Sequence, residues 1–284
     1  MPDDTFDAVI VGGGTKGLQL ALYLIKYGGM SVGIFERRHE IGGGLATEET
    51  SAPGFRGNTH ANIMLPWYYS PLYRDFPEFW EYGGQIDQYP VSDGAVFLNN
   101  KTCLAIYSEK QDPNQEKTAR EIARFSQKDA ETWLKFWKLW QDDDFQRVTI
   151  DPLLNPPDWQ IEHEFLNMQI SVYPMLLEAG INPDSLVLAA SPKRIVKEYF
   201  ESPEVQYCFT RFVVSACTNV NDVQLGTTAI GMALTTPTIG YARGGTHQIA
   251  HACHQILVQN GVKFFTHAEV AKAVIENGTC TGVQ

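Results

Sequence analysis

The stretch FDAVIVGGGTKGLQLALYLIKYGGMSVGIFE, residues 6–36, decides how this chain of 284 residues is read. Phe6 to Val11 form a short apolar run that Gly12-Gly13-Gly14 halts, and Leu18, Leu20, Ala21, Leu24 and Ile25 then recur at helical spacing. Gly28-Gly29 ends that helix, and Ser31 to Phe35 make a second strand that finishes on the acid Glu36. Strand, tight turn, helix and strand in about thirty residues make a complete βαβ unit. Gly12-x-Gly14-x-x-Gly17 therefore follows a strand and opens a helix, and Glu36 stands nineteen residues beyond Gly17. That context turns a weak glycine pattern into a dinucleotide-binding fingerprint. Gly12 permits the tight turn, Gly14 lets the backbone approach a pyrophosphate, and Gly17 lets helix and strand pack closely. The helix N-terminus favours phosphate. Glu36 is placed to accept hydrogen bonds from ribose hydroxyls, and its charge favours an adenosine with a free 2′-OH over NADP.

The rest of the composition narrows the class. With 44% hydrophobic and 19% charged residues the chain is globular, which excludes collagen, coiled coil and wholesale disorder. Its length suggests two structural units and a core that needs no disulfide staples. Lys+Arg 22 against Asp+Glu 33 gives a net charge of −11, which disfavours a nucleic-acid binder. The five cysteines, Cys103, Cys208, Cys217, Cys253 and Cys280, are widely spaced and contain no CxxC pair. They read as buried thiols in a reducing compartment rather than as a thiol-disulfide reductase. The opening MPDDTFDAVIV lacks a basic and an apolar signal region, so the expectation is a soluble, cytoplasmic protein. Val223 to Ala242, the longest uncharged stretch, is too polar and too broken for a transmembrane segment and reads as a buried lining.

Beyond Thr47 the pattern turns irregular, aromatic and proline-rich, with strand candidates at Ala95–Leu98 and Cys103–Tyr107. Residues 114–141 read as amphipathic helices restarted by a Ser126/Asp129 capping box, with Trp133, Phe136, Trp137 and Trp140 as a core stripe. Asp142-Asp143-Asp144 reads as a solvated helix end. A proline-rich loop at 151–157 and helices near 161–179, 192–200 and 203–217 follow. A helix from Thr246 to Gln259 and two strands joined by Asn277-Gly278 close the chain, that dipeptide suiting a two-residue hairpin turn. The fold expected is α/β: a Rossmann-like domain over 1–90 and 236–284, with a helix-rich α+β domain inserted at 91–235.

Downstream of the acid, RRHEIGGGLATEE (37–49) extends the pattern to Glu36-x-Arg38-x-x-Ile41-Gly42-Gly43-x-x-x-Thr47. This resembles the second glycine-doublet motif of the phytoene desaturase and amine oxidase superfamily of FAD enzymes. PGFR (53–56), SQKDAETWLKF (126–136) and the run from Tyr241 to Val283 are similar to its phytoene desaturase branch. The resemblance implies FAD as cofactor. It implies contacts at Gly12, Gly13, Gly14 and Gly17, at Glu36, Arg37 and Arg38, along Gly42, Gly43, Gly44, Leu45, Ala46 and Thr47, and at the backbone of Val270. Gly44 departs from the pattern, since many members carry an arginine there. Members are typically much longer, so the expectation is a second polypeptide supplying the remaining C-terminal half in a hetero-oligomer; the alternative is an inactive fragment.

The implied reaction is removal of two electrons from an apolar or amphipathic organic small molecule, with the hydride passing to flavin N5. A flavin carries the reactive ring, so the protein needs at most one base. His60, shortly after PGFR, is the candidate, against the alternative of a hydrogen-bonded loop histidine. Tyr241 and Arg243 face either a substrate or a turn. Trp67, Tyr68, Tyr69, Phe76, Phe79 and Trp80 suit an apolar channel or a packed core equally. His247, His251 and His254 share one helix face at metal-ligand spacing, but no acid completes a set, and no metal is assigned. A non-catalytic FAD-binding subunit is the second reading.

Overall fold

Four residues of extended backbone, Ala8–Val11 (β1), run parallel to Val32–Phe35 (β2) in the register Ala8↔Val32 to Val11↔Phe35. The computed structural model describes residues 4–146, 174–182, 190–215, 219–223 and 225–284. The expected loop at 151–157, most of the helix near 161–179, Cys217 and the end of the 203–217 helix lie outside the described residues, as do the side chains of Trp67, Tyr68 and Tyr69. The chain divides into two units, the first made of residues 1–64, 68–87 and 240–284, the second of residues 65–67 and 88–239.

In the first unit, helix α1 (Thr15–Gly28) links β1 to β2 as the right-handed crossover of parallel strands requires. It buries Leu18, Ala21 and Leu22, one apolar stripe, and ends on Gly29 at φ 59°, a left-handed cap that glycine adopts without strain. Two short antiparallel strands follow, Thr47–Ala52 (β3) and Phe55–Asn58 (β4), then helices α2 (Pro66–Asp75) and α3 (Glu78–Glu81) and the brief β5 (Ile86–Asp87).

The second unit opens with the hairpin Val91–Phe97 (β6) and Thr102–Tyr107 (β7) and continues as helices α4 (Glu116–Ala123), α5 (Gln127–Trp140), α6 (Pro192–Tyr199), α7 (Pro203–Ser215) and α8 (Gly226–Thr235). Its core is the aromatic stripe of α5. Trp133, Phe136, Trp137 and Trp140 are all buried, and Trp133 stacks on Trp137 at 6.3 Å and on Phe209 at 5.5 Å. The uncharged stretch expected as a buried lining is α8 and the turn after it, where Ala233, Leu234, Thr236 and Thr238 are buried.

Two local expectations change. Ser126 does cap α5 by accepting from the Asp129 N–H at 3.1 Å, but the Asp129 carboxylate does not return to Ser126. It accepts from the N–H groups of Glu201 and Ser202 instead, at 2.8 and 2.9 Å, tying α5 to the start of α7. Asp142 is not merely solvated, because its Oδ1 accepts from the N–H groups of Asp144 and Phe145 and opens a new helical turn.

The chain re-enters the first unit at Gly240, where β8 (Tyr241–Ala242) pairs with β5. Helix α9 (His247–Gln259) packs on α1, and Lys263–Phe265 (β9) joins β2 in parallel, giving the sheet order β1-β2-β9. Ile10, Leu18, Leu22, Val32, Ile34, Phe76, Phe79, Ile249 and Ile256 form the core between sheet and helices. The last hairpin, Ala273–Glu276 (β10) with Thr279–Val283 (β11), turns through Asn277 and Gly278 at φ 50° and 80°, the conformation that dipeptide favours. No helix among the described residues is long and apolar enough to cross a membrane.

Candidate functional site

Gly12 sits at φ +99°, past the end of β1, and its N–H donates to Phe35 O at 2.8 Å, so the turn is fixed to the adjacent strand. A side chain at Gly17 would place its Cβ 2.3 Å from Gly12 O and 3.2 Å from Ile10 Cγ2; only glycine lets α1 lie this close to β1. On the outer side the turn is open. A Cβ at Gly12 would meet nothing within 4 Å, and one at Gly14 nothing nearer than Gly43 Cα at 3.9 Å. Gly14 caps α1 without a side-chain hydrogen bond, and the first turn carries no acidic residue. The positive end of the helix dipole is left for an anion.

Glu36 is buried and its carboxylate is already oriented: Oε2 accepts from the Gly13 N–H at 2.9 Å and Oε1 from the Arg38 N–H at 2.8 Å. A carboxylate offers roughly four acceptor positions, so this grip fixes Glu36 and still leaves acceptor capacity for ribose hydroxyls. Arg37 is exposed, and Arg38 reaches Glu48 at 3.2 Å.

The glycine doublet lies directly against the fingerprint. Gly42 donates to Gly13 O at 2.8 Å, Gly42 and Gly43 take φ +115° and +57°, and a Cβ on Gly43 would come within 3.0 Å of Gly14 Cα. Gly44 is exposed, whereas Leu45 and Ala46 are buried, Leu45 in the core of the unit. Thr47 is occupied elsewhere: its hydroxyl donates to Asn58 Oδ1 at 2.9 Å and accepts from the His247 N–H at 3.1 Å. Asn58 also accepts from the Thr246 N–H at 3.0 Å. The sequence reading missed this junction, which joins residues two hundred positions apart. Its one sequence sign is Gly245, where a Cβ would strike the Thr47 side chain at 2.4 Å.

On the far side of Glu36, the chain leaving β9 runs alongside, with Ala268 donating to Glu36 O at 3.0 Å and His267 to Arg38 O at 2.9 Å. Val270 follows two residues on, half-buried. The structure therefore gathers the fingerprint, Glu36, the doublet and the approach to Val270 at the C-terminal ends of the three parallel strands.

Residues 10–79 match the model of the NAD(P)-binding Rossmann-like domain family. The Rossmann-like domain includes both glycine motifs and Glu36. Over 98% of its length the chain is 25% identical to a limonene dehydrogenase polypeptide of Castellaniella defragrans, one subunit of that enzyme, and covers 47% of it. It is 28% identical to the mouse pyridine nucleotide-disulfide oxidoreductase domain-containing protein 2, again over 98% of this chain and 50% of that one. The chain spans about half the length of the curated relatives it matches. In fold it resembles an oxidoreductase from Methanosarcina mazei, with a TM-score of 0.53 at 17% identity over 97% of this chain and 54% of that one.

The remaining candidates distribute unevenly about the Rossmann-like domain. His60 is exposed and its Cβ lies beside Gly44, 4.0 Å from where a Gly44 Cβ would be, while Ala61 donates to Gly44 O at 3.2 Å. Arg243 is a turn anchor: it grips the Asp87 carboxylate with two hydrogen bonds of 2.8 Å and Gln85 Oε1 with a third. Phe76 and Phe79 are buried in the core and Trp80 is 45% exposed. The three helix histidines do not converge, since His247 faces Leu45 O and His254 packs on Phe264 at 4.5 Å. Among the described residues no metal-binding group forms. Of the four described cysteines, Cys208 and Cys253 are buried, their thiols pushed up by burial to about 11 and about 12, whereas Cys103 and Cys280 are exposed rather than buried as expected.

Proposed function

We propose that this chain is the FAD-binding part of a flavin-dependent oxidoreductase that withdraws a hydride from an apolar or amphipathic organic molecule. The observation that carries the reading is the contact of two glycine segments, Gly12–Gly14 and Gly42–Gly43, across a space open on its outer side and bounded by a fixed Glu36 carboxylate. Residues present fit a dinucleotide. The open faces of Gly12 and Gly14 admit a pyrophosphate onto the N-terminus of α1, Glu36 accepts from the ribose, and the irregular segment from β9 to Val270 offers main-chain groups to an adenine edge. The doublet extends that cradle beyond the pyrophosphate, which favours the longer FAD over NAD. Bound FAD supplies a two-electron acceptor at N5. His60, beside Gly44, is the group we assign to proton transfer at the substrate.

The similarity to a polypeptide named as one subunit of limonene dehydrogenase supports a multi-chain enzyme, in which a second polypeptide completes the substrate cavity and this chain contributes the cofactor site. A titration of the purified chain with FAD, NAD and NADP, followed by flavin fluorescence and calorimetry, tests the reading. FAD binding that falls roughly tenfold to a hundredfold in Glu36→Ala is expected, the loss of hydrogen bonds to a charged group. Equal binding in Glu36→Ala, or binding of NADP alone, would overturn it.

A further inference from the structure

We propose that His247 is the positioning residue of the glycine-doublet loop: its ring Nδ1 holds the Leu45 carbonyl where the chain leaves the doublet and so sets the backbone that a dinucleotide meets. The proposal rests on the reading of this loop as cofactor-contacting. The doublet is intrinsically the loosest part of the site, because glycine loses more conformational freedom on ordering than any other residue. Its internal ties are the Leu45 N–H to Gly42 O bond of 2.9 Å and the Gly42 N–H to Gly13 O bond of 2.8 Å.

The imidazole supplies what the glycines lack. Nδ1 lies 3.2 Å from Leu45 O, and a carbonyl can only accept, so Nδ1 carries the proton. Nε2 lies 3.9 Å from Glu40 Oε2, beyond hydrogen-bond distance. The Leu45 carbonyl stands two residues beyond Gly42-Gly43, so the ring ties the chain at the exit of a segment that has no side chains of its own. The backbone N–H of the same residue holds Thr47 Oγ1 at 3.1 Å, adding a second tie two residues further on. The seat is close-fitting, since a Cβ on Gly42 would come 3.3 Å from Nδ1 and 3.1 Å from Ala250 Cβ. His39 shares the Glu40 carboxylate at 3.9 Å, and His251 follows one turn later on α9.

Two amide side chains separate the roles of the ring nitrogens. Asn places its amide nitrogen as many bonds from Cα as Nδ1, and Gln places its own where Nε2 stands. In the full chain, His247→Asn keeps the Leu45 bond, His247→Gln forfeits it, and His247→Phe keeps the shape without the bond. Amide exchange over residues 41–47, without any cofactor, should be wild-type-like in His247→Asn and roughly fivefold to tenfold faster in the Gln and Phe variants, the worth of one hydrogen bond. FAD affinity should fall by a similar factor in those two and be kept in His247→Asn. Uniform exchange in all four proteins, or equal protection by Gln and Asn, overturns the role of His247. The expected exchange pattern in a chain that binds no FAD would support His247 and overturn the cofactor reading alone. If His247→Phe fails to fold, the Asn and Gln pair decides.

Discussion

The Gly12–Gly17 turn with its doublet and the aromatic face of α5 are the two most conspicuous runs of sequence in this chain, and their surroundings are opposite. Around Trp133, Phe136, Trp137 and Trp140 every direction is filled, by Phe200, Phe209 and Tyr199 among others. At Gly17 the turn is packed to contact distance against Gly12 O, whereas a Cβ at Gly12 or Gly14 would meet nothing nearer than 3.9 Å among the described residues. A core needs matter on all sides of a side chain, because voids forfeit dispersion contacts. A ligand site needs one side withheld. The difference teaches that an unusual composition is read as function or as packing by what fills the space beside it.

The largest effect expected of that contrast is at Trp133. Trp133→Ala should cost about 3–5 kcal/mol of unfolding free energy, the range for emptying a large aromatic site, and leave FAD affinity per folded molecule unchanged. Trp133→Phe should cost much less, because the Nε1–H it deletes has no hydrogen-bond partner among the described residues. A large fall in FAD affinity in either variant would break the separation of core from site.

Gly17→Val should act on both properties. The new Cβ meets Gly12 O at 2.3 Å, so the helix must withdraw from the strand, costing about 1–3 kcal/mol and abolishing measurable FAD binding. Preserved binding would show that the fingerprint turn is not the cofactor contact. Gly44→Arg sharpens the contrast from the other direction. Its Cβ meets nothing nearer than His60 Cβ at 4.0 Å, so stability should change by no more than about 0.5 kcal/mol, as for an exposed position. The guanidinium would then face the cofactor's phosphates, and FAD should bind severalfold more tightly. Weaker binding would mean that Gly44 itself is in contact with the ligand.

The smallest effect concerns His254, on α9 behind the site. Burial, and then the neighbouring His251, lowers its pKa from the ordinary value of 6.5. The unfolded chain therefore binds the proton more readily than the native one, and stability contributed above pH 6.5 is lost as the pH falls through the lower native value. His254→Gln should flatten that part of the stability profile measured by denaturant titration, with no change in the relative affinity for FAD.

Much of this was written locally. The run from Phe6 to Glu36 specifies β1, α1 and β2, since period, glycine placement and the closing acid agree on one βαβ unit. Ser126 announced the start of α5, and Asn277-Gly278 the final hairpin. What stayed hidden joins distant positions. Nothing near Asp129 says that its carboxylate caps the start of α7, or that Arg243 locks onto Asp87. The exposure of Cys103 and Cys280 was equally invisible, because both lie in strands of two-stranded hairpins whose outer faces no sequence pattern identifies.

The amino-acid sequence alone therefore determined the fingerprint, its strand and helix, and the acid that follows, because these depend on backbone conformations that glycine permits and on periods that repeat within a few residues. Only the tertiary structure decided that Gly42-Gly43 lies on Gly14, that Thr47 and Asn58 hold the head of α9, and that the His247 ring meets the Leu45 carbonyl beyond the doublet. Those contacts depend on which segments the core brings together, and a hydrogen bond between residues two hundred positions apart leaves no period for a sequence to show.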